Sequence, residues 1–446
     1  MPTIAPTVPT RRTRRRVGCL IEDVKVPGGA AVVAHRPRRA LSVALFSVAL
    51  GTNVSTPLLL IYQDRLDLSA WTVTALFAVY PIGLVPTLMW AGPASDVLGR
   101  RKVMVPGIAA SGLASALFLA GSESLAVLFV ARLMLGAVSG VVFVVASAWM
   151  QEVEPTEDPL WPSRLTSMIL YSGFGGGPVI AGILGQWAPW PLHLSYLVHI
   201  AVVVIGLLAA LRVPETVHVE HRPFRPSLGV PAATRRVFLT VVVPTALCVF
   251  GFASMSLGLF PVLLRPVMAS VAVFVTGVVA GITAVAIFSA QRMVARLGAV
   301  RAAPWAFACG AAGCLLGVIA FATDMWALTF PGAALLGAAS GLALVSGLRF
   351  VDVLTTPSAR GAMTGSFYAA AYAAMTMPVI VSSLARTRTA YVIVLSVVTA
   401  LAVLGGVWVR RTVHLVPALT ASAAAPAPSG SPRADGVPEP DVPPPL

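Results

Sequence analysis

The chain is predicted to be an all-α integral membrane protein with twelve transmembrane helices, and three observations carry that prediction. Hydrophobic residues make up 57% of its 446 residues and charged residues only 11%, too little polar surface for a water-soluble chain of this size. Apolar stretches near twenty residues long recur twelve times, each sufficient at about 1.5 Å per residue to cross a hydrocarbon core of about 30 Å. Basic residues then alternate with the spans: twenty-six Arg and Lys collect on the side that holds both termini and four on the other.

The spans are expected to start near Ala40, Ala70, Val103, Leu125, Leu165, Pro191, Val237, Ser270, Ala302, Trp326, Ala362 and Ala390. Residues 1–39 are expected to form a disordered, basic, Pro-containing arm without the apolar core and small-residue site of a removable signal peptide, so the first span is the expected insertion signal. Residues 40–211 and 237–410 make two six-helix halves, 212–236 a polar linker, and 411–446 an Ala/Pro-rich tail too poor in apolar bulk to order itself. The basic asymmetry is the positive-inside pattern, which places both termini in the cytoplasm. It also accounts for the net charge of +14 without nucleic acid, and leaves the Arg11–Arg16 cluster as a solvated arm near anionic lipid headgroups. The 29 arginines against two lysines fit a bacterial source, and therefore the inner membrane. Cys19, Cys248, Cys309 and Cys314 have no metal-ligand spacing, so no metal or other cofactor is expected. No loop is long enough for a catalytic domain, and the spans hold no nucleophile–base pair; an enzyme is not expected.

An internal repeat organises the halves. Leu135-Gly136-Ala137-Val138-Ser139-Gly140 matches Leu336-Gly337-Ala338-Ala339-Ser340-Gly341, Pro178-Val179-Ile180 matches Pro378-Val379-Ile380, and Gly99 matches Gly298, all at one offset near 200 residues. Two repeats of the same orientation follow, the arrangement in which a central site lies between rocking halves.

Four segments resemble the major facilitator superfamily. Gly92 to Lys102, with Asp96, Gly99, Arg100 and Arg101, is similar to its signature Gly-x-Leu-x-Asp-Arg-x-Gly-Arg-Arg/Lys loop, departing at Ala94 and Val97. Gly92 and Gly99 are expected to permit a tight reversal, Asp96 to accept from a basic residue or a helix N-terminus, and Arg100, Arg101 and Lys102 to anchor the loop in the cytoplasm. The whole acts as a conformational latch, weakened in the second half where Ala295 replaces the acid. Leu128 to Gly136 resembles the family's span-four motif Leu-x-x-x-Arg-x-x-Gln-Gly, with Arg132 as its arginine and Leu135 departing from Gln, and Gly173 to Gly182 resembles the span-five motif of the family's exporters, with Ala181 in place of one Gly. In that segment Gly173, Gly177, Pro178 and Gly182 form the expected hinge, with Gly173 and Gly177 making a groove for span eight at Gly277 and Gly281. Val213-Pro214-Glu215-Thr216 matches the motif closing span six.

The resemblance implies the major facilitator fold and a twelve-span drug:proton antiporter, acting as a monomer in the bilayer on a small-molecule substrate. Spans one, four, seven and ten are then expected to line the cavity, with Thr52, Asn53, Ser55, Thr56, Arg132, Phe250, Phe252, Ser254, Met255, Phe330, Ser340 and Ser346 as candidates. Such a lining suits amphipathic, aromatic or anionic molecules better than sugars. Arg132, roughly 10 Å deep, has no acid within the spans, so its counter-charge is expected transiently from an anionic substrate group or from Asp64 or Asp67 at the outer mouth, with backbone carbonyls or Asn53 as the structural alternative. Exporters of this kind often carry a carboxylate in span one, where this chain has Asn53. Proton-gradient coupling is therefore expected from the resemblance and not from the residues. An uptake permease or uncoupled facilitator, and a non-transporting membrane receptor or scaffold, are the alternatives.

Overall fold

A computed structural model describes residues 30–153, 158, 161–217, 229–356 and 360–416. The Arg11–Arg16 cluster, Cys19, the middle of the linker and the tail beyond 416 lie outside the described residues. Among those described, twelve helices are long and apolar enough to cross a bilayer. They are α1 (Pro37–Arg65), α2 (Ala70–Leu98), α3 (Arg100–Glu123), α4 (Leu125–Val153), α5 (Trp161–Trp187) and α6 (Pro191–Ala210), followed by α7 (Ala232–Met268), α8 (Ala272–Leu297), α9 (Ala299–Thr323), α10 (Trp326–Leu354), α11 (Arg360–Leu384) and α12 (Arg388–Leu415).

The starts at Ala70, Leu125, Pro191 and Trp326 coincide with expectation, while most others come a few residues early. Hydropathy ends at the first charged side chain, whereas backbone hydrogen bonding carries the helix beyond it. The helix that opens α1 already begins at Ala30, inside the arm expected to lack structure. Two helices on one face start with a side-chain cap: the Ser69 hydroxyl accepts from Thr72 N at 3.1 Å and Thr387 Oγ1 from Ala390 N at 3.2 Å, each satisfying an otherwise orphan amide.

The repeat is visible in the packing. Gly136 and Gly140 of α4 lie against the backbone of Tyr80 and Leu84 in α2, and Gly337 and Gly341 of α10 lie against Thr283 and Ile287 in α8. A side chain at any of these four positions would hold the helix pair apart. Gly99 (φ 100°) and Gly298 (φ 75°) turn the chain from α2 to α3 and from α8 to α9 with the same positive φ. Gly92 does not help that reversal, contrary to expectation. It sits inside α2, which remains helical to Leu98, so Gly99 alone makes the turn.

Each half has its own apolar core, and a third cluster joins them at the end away from Gly99. There Leu58, Phe77 and Leu128 of the first half share a core with Val262, Val275 and Met375 of the second. Polar contacts reinforce this seam: Asp64 of α1 pairs with Arg265 of α7, and Thr74 of α2 meets Ser382 of α11 at 2.7 Å. The Gln186 side chain of α5 donates to the Ser270 carbonyl and accepts from Phe274 N, tying α5 to the start of α8.

Candidate transport cavity

Between the halves lies a cavity of about 1030 Å³. Its floor is at mid-span, and it runs to Gly92, Gln151, Ser163 and Arg360 at the helix ends on the Gly99 side. The opposite side is the sealed seam just described. The halves thus meet at one face and part at the other.

Eight aromatic rings stand in a lining that is otherwise largely aliphatic and hydroxyl-bearing. Phe250 of α7 stacks on Tyr372 of α11 with ring centroids 4.2 Å apart and planes 18° from parallel. Across the cavity, Tyr171 and Phe174 of α5 and Phe143 of α4 meet edge to face, at 5.8 and 5.3 Å. Such offset and T-shaped contacts keep the rings in fixed planes. Polar groups near the floor are Thr52 and Asn53 of α1, Ser254 of α7, Thr283 and Gln291 of α8 and Ser340 of α10, and toward the Gly99 side Ser147, Gln151, Ser163, Thr166, Ser167 and Thr364 join them; Gln291 neighbours Tyr171, and its buried Nε2 makes no hydrogen bond of normal geometry. No acidic side chain lines the cavity among the described residues. The charge at its mouth, Arg360, is paired with Asp352 at 3.4 Å.

Arg132 is buried, 1% exposed, and does not line the cavity. Its Nη1 donates to Ser55 Oγ at 2.8 Å and to the Thr52 carbonyl at 3.3 Å. Pro57 explains why that carbonyl is available. Lacking an N–H, Pro57 cannot bond the Asn53 carbonyl, and Thr56 N turns to it instead at 3.0 Å, so Thr52 loses its usual helical donor. The guanidinium carbon lies over the rings of Phe77 and Tyr80, 5.2 and 5.3 Å from their centroids, and these two rings do line the cavity. The carbonyl alternative for Arg132 is therefore the one observed, without Asn53. Asp64 is engaged with Arg265, and Asp67 lies exposed in the α1–α2 turn at φ 48°; neither reaches the cation.

Of the other cavity candidates, Thr52, Asn53, Phe250, Ser254 and Ser340 line the space, whereas Phe252, Met255 and Phe330 do not. Phe252 presses its ring on Gly310 of α9, and Met255 is 1% exposed in the core of the second half. Phe330 packs edge-on to Trp326 at 6.0 Å. Residues on one helix were expected to share the cavity regardless of face, but a helix turns about 100° per residue, so Phe250 and Phe252 point to opposite sides. Ser55 is spent on Arg132, and Thr56 and Ser346 are buried elsewhere. Tyr171, Tyr368, Tyr372 and Gln291 also line the space, from spans five, eight and eleven, outside the four spans that the resemblance assigns to the cavity. The i, i+4 spacing of Tyr368 and Tyr372 was the available signal.

The span-five glycines also need correction. Gly173 and Gly177 face Ala49 and Leu50 of α1, within the same half. The α8 contact is made by the neighbouring face: Gly175 lies against Gly281 and Ala284, Pro178 and Gly182 against Gly277, with a Cβ on Gly182 only 3.1 Å from the Gly277 Cα. The expected five–eight seam exists, on Gly175, Pro178 and Gly182.

At the Gly99 turn Asp96 accepts from Arg100 at 2.5 Å. Arg100 is not a solvated anchor; it is 6% exposed and reaches Glu152 of α4 at 2.6 Å and Ser95 Oγ at 2.5 Å. Glu215, just after α6, accepts from the backbone amides of Arg100 and Arg101 at 2.9 Å each, placing a carboxylate on the N-terminus of α3. All of these partners belong to the first half or, for Glu215, to the start of the linker, and none to the second half. Gly298 has no such neighbours, in keeping with Ala295.

Residues 41–299 match the profile of the Major Facilitator Superfamily. Over 211 residues the chain is 21% identical to the quinolone resistance protein NorA of Staphylococcus aureus, covering 47% of this chain and 54% of that protein. Over 181 residues it is 28% identical to the multidrug resistance protein MdtL of Shewanella oneidensis, covering 38% and 43%. The chain thus spans about half the length of the curated relatives it matches. In fold it is similar to the peptide transporter POT (TM-score 0.71, 10% identity, 86% of this chain and 95% of that one) and the nucleoside transporter NupG (0.66, 14%, 83% and 99%). The profile match over more than half the chain, on twelve helices parted around a central cavity, makes this multi-pass membrane protein a member of the Major Facilitator Superfamily.

Proposed function

We propose that the chain exports small amphipathic, drug-like molecules across a bacterial inner membrane by alternating access, with the Gly99 face in the cytoplasm. The observation that carries this reading is the aromatic cavity of about 1030 Å³ reaching the basic face while the other is sealed. It has room for a drug-sized molecule, and its polar groups are mostly single hydroxyls spread among apolar and aromatic side chains, which suits an amphipathic molecule. The span-five resemblance and the names of the two curated relatives support export over uptake. Opening the other face requires Asp64–Arg265 and Thr74–Ser382 to part and the Gly99 side to close.

Proton antiport is the proposed energy source. With no acid in the described lining, the candidate carrier is Asp64, because its pair with Arg265 bridges the two halves and cannot persist when they separate there. The same lack of a lining acid favours, as a second reading, an uncoupled facilitator of the same fold. Proteoliposomes loaded with an amphipathic fluorescent drug decide between them. An imposed pH gradient should drive the drug uphill through the intact chain and less so through Asp64→Asn. Transport only down the drug's own gradient would establish the facilitator, and no transport would overturn both readings.

A further inference from the structure

We infer that the cavity receives planar aromatic molecules that carry hydrogen-bond acceptors and no net positive charge, and that it discriminates against lipophilic cations. The inference rests on the cavity reading above and adds the sign of charge and the polarity of the ligand.

Three observations converge on it. First, the walls present ring planes from both halves, the Phe250–Tyr372 stack on one side and the Tyr171–Phe174 pair on the other, which favours a flat ligand. Second, Gln291 holds a buried Nε2 that makes no hydrogen bond of normal geometry and has the Tyr171 hydroxyl as its neighbour. An amide in that condition has lost its water without full compensation, so a ligand carbonyl, carboxylate or ring nitrogen that reaches it restores the lost bond.

Third, the electrostatic sign is one-sided. Arg132 stands directly behind Phe77 and Tyr80, with no carboxylate partner. Among the described residues on the Gly99 side, Asp96 and Glu152 share Arg100 and Asp352 pairs with Arg360, and no acid enters the lining. A positive ligand would therefore meet a buried like charge and no counter-charge, whereas an anionic ligand supplies the counter-charge that the fold omits. An aromatic lining taken alone would also suit a cation, through the negative faces of the rings. That attraction acts at contact, while charge–charge repulsion falls only as the inverse of distance and is weakly screened in a low-dielectric interior. Two of the rings, moreover, are already engaged by Arg132 on one side.

The test uses three xanthene dyes of similar shape and different charge: fluorescein (anionic), rhodamine B (net neutral) and rhodamine 6G (cationic). Binding to the full chain in lipid nanodiscs is read by fluorescence polarisation against empty nanodiscs. Fluorescein and rhodamine B should bind at least about tenfold tighter than rhodamine 6G, equivalent to about 1.4 kcal/mol. Asn53→Asp should place an acid in the lining and reverse the order, and Gln291→Glu should do the same from the opposite half, so that misfolding of one variant leaves the other. Rhodamine 6G binding as tightly as fluorescein, an order unchanged in both variants, or no dye binding would each overturn the inference. The export reading fails separately, if the dyes bind in the expected order and none is moved by the reconstituted chain.

Discussion

Arg132 solves the problem of a buried cation without an acid. Its hydrogen-bonding edge goes to Ser55 and to the carbonyl that Pro57 indirectly releases, and its guanidinium carbon lies over two aromatic rings. That arrangement needs a planar, forked group; a lysine ammonium keeps the charge but cannot fill both roles. Arg132→Lys should therefore lower the stability of the detergent-solubilised chain by about 1–2 kcal/mol, read as a fall in melting temperature, while leaving the charge ranking of ligands intact. An unchanged melting temperature would show that the fork geometry contributes nothing. Gly99 and Gly298 offer a matched pair at the same scale. Both occupy backbone conformations that cost a side chain of order 1–3 kcal/mol, but only at Gly99 does a Cβ also meet a neighbour, Glu215 Oε2 at 2.7 Å. Gly99→Ala should thus destabilise the chain more than Gly298→Ala, and equal losses of melting temperature would show that the Glu215 contact relaxes freely.

At the scale of the helix, α5 carries two small-residue faces with different duties. Gly173 and Gly177 let it approach α1 inside the first half, and Gly175, Pro178 and Gly182 let it approach α8 across the seam. A four-residue step advances a helix by 400°, so residues at that spacing drift only about 40° and share a face, whereas Gly175 and Gly182 lie on another. The sequence shows both sets of glycines but not which partner each set meets. Gly177→Leu should damage the first half itself, seen as poor yield and a lower melting temperature. Gly182→Leu should leave the yield close to normal and abolish transport, because it wedges the seam along which the halves move. If the two variants behave alike in both assays, the division of faces is wrong.

At the scale of the molecule, the two halves share an apolar core and a set of polar contacts at one end and stand apart at the other. Thr74 and Ser382 mark the closed end, with their hydroxyl oxygens 2.7 Å apart. In a cysteine-free background, Thr74→Cys with Ser382→Cys should form an oxidant-dependent disulfide, lock the cavity open toward the Gly99 face, and stop turnover until a reductant is added. Turnover that continues at the original rate with the crosslink complete would mean that this end need not open. The latch belongs to a different level: Asp96, Arg100, Glu152 and Glu215 bind α2, α3, α4 and the end of α6 to one another, so in this conformation it stiffens one half instead of joining two.

The twelve spans, the repeat and the glycine turns were legible in the sequence because each follows from a local rule. A bilayer of fixed thickness demands apolar runs of fixed length, a repeat leaves matching residues at a constant offset, and a backbone with positive φ selects glycine. The depth of Arg132 and the lack of acids around it were legible for the same reason. Which face of each span meets the cavity was decided only by the tertiary structure. In a soluble helix the polar face marks the water side, but here lipid, neighbouring helices and an aromatic cavity all accept the same apolar side chains. Phe250 in the lining and Phe252 in the core are thus indistinguishable by hydropathy. They are separated only by the rotation of α7, which its contacts with α10 and α11 set.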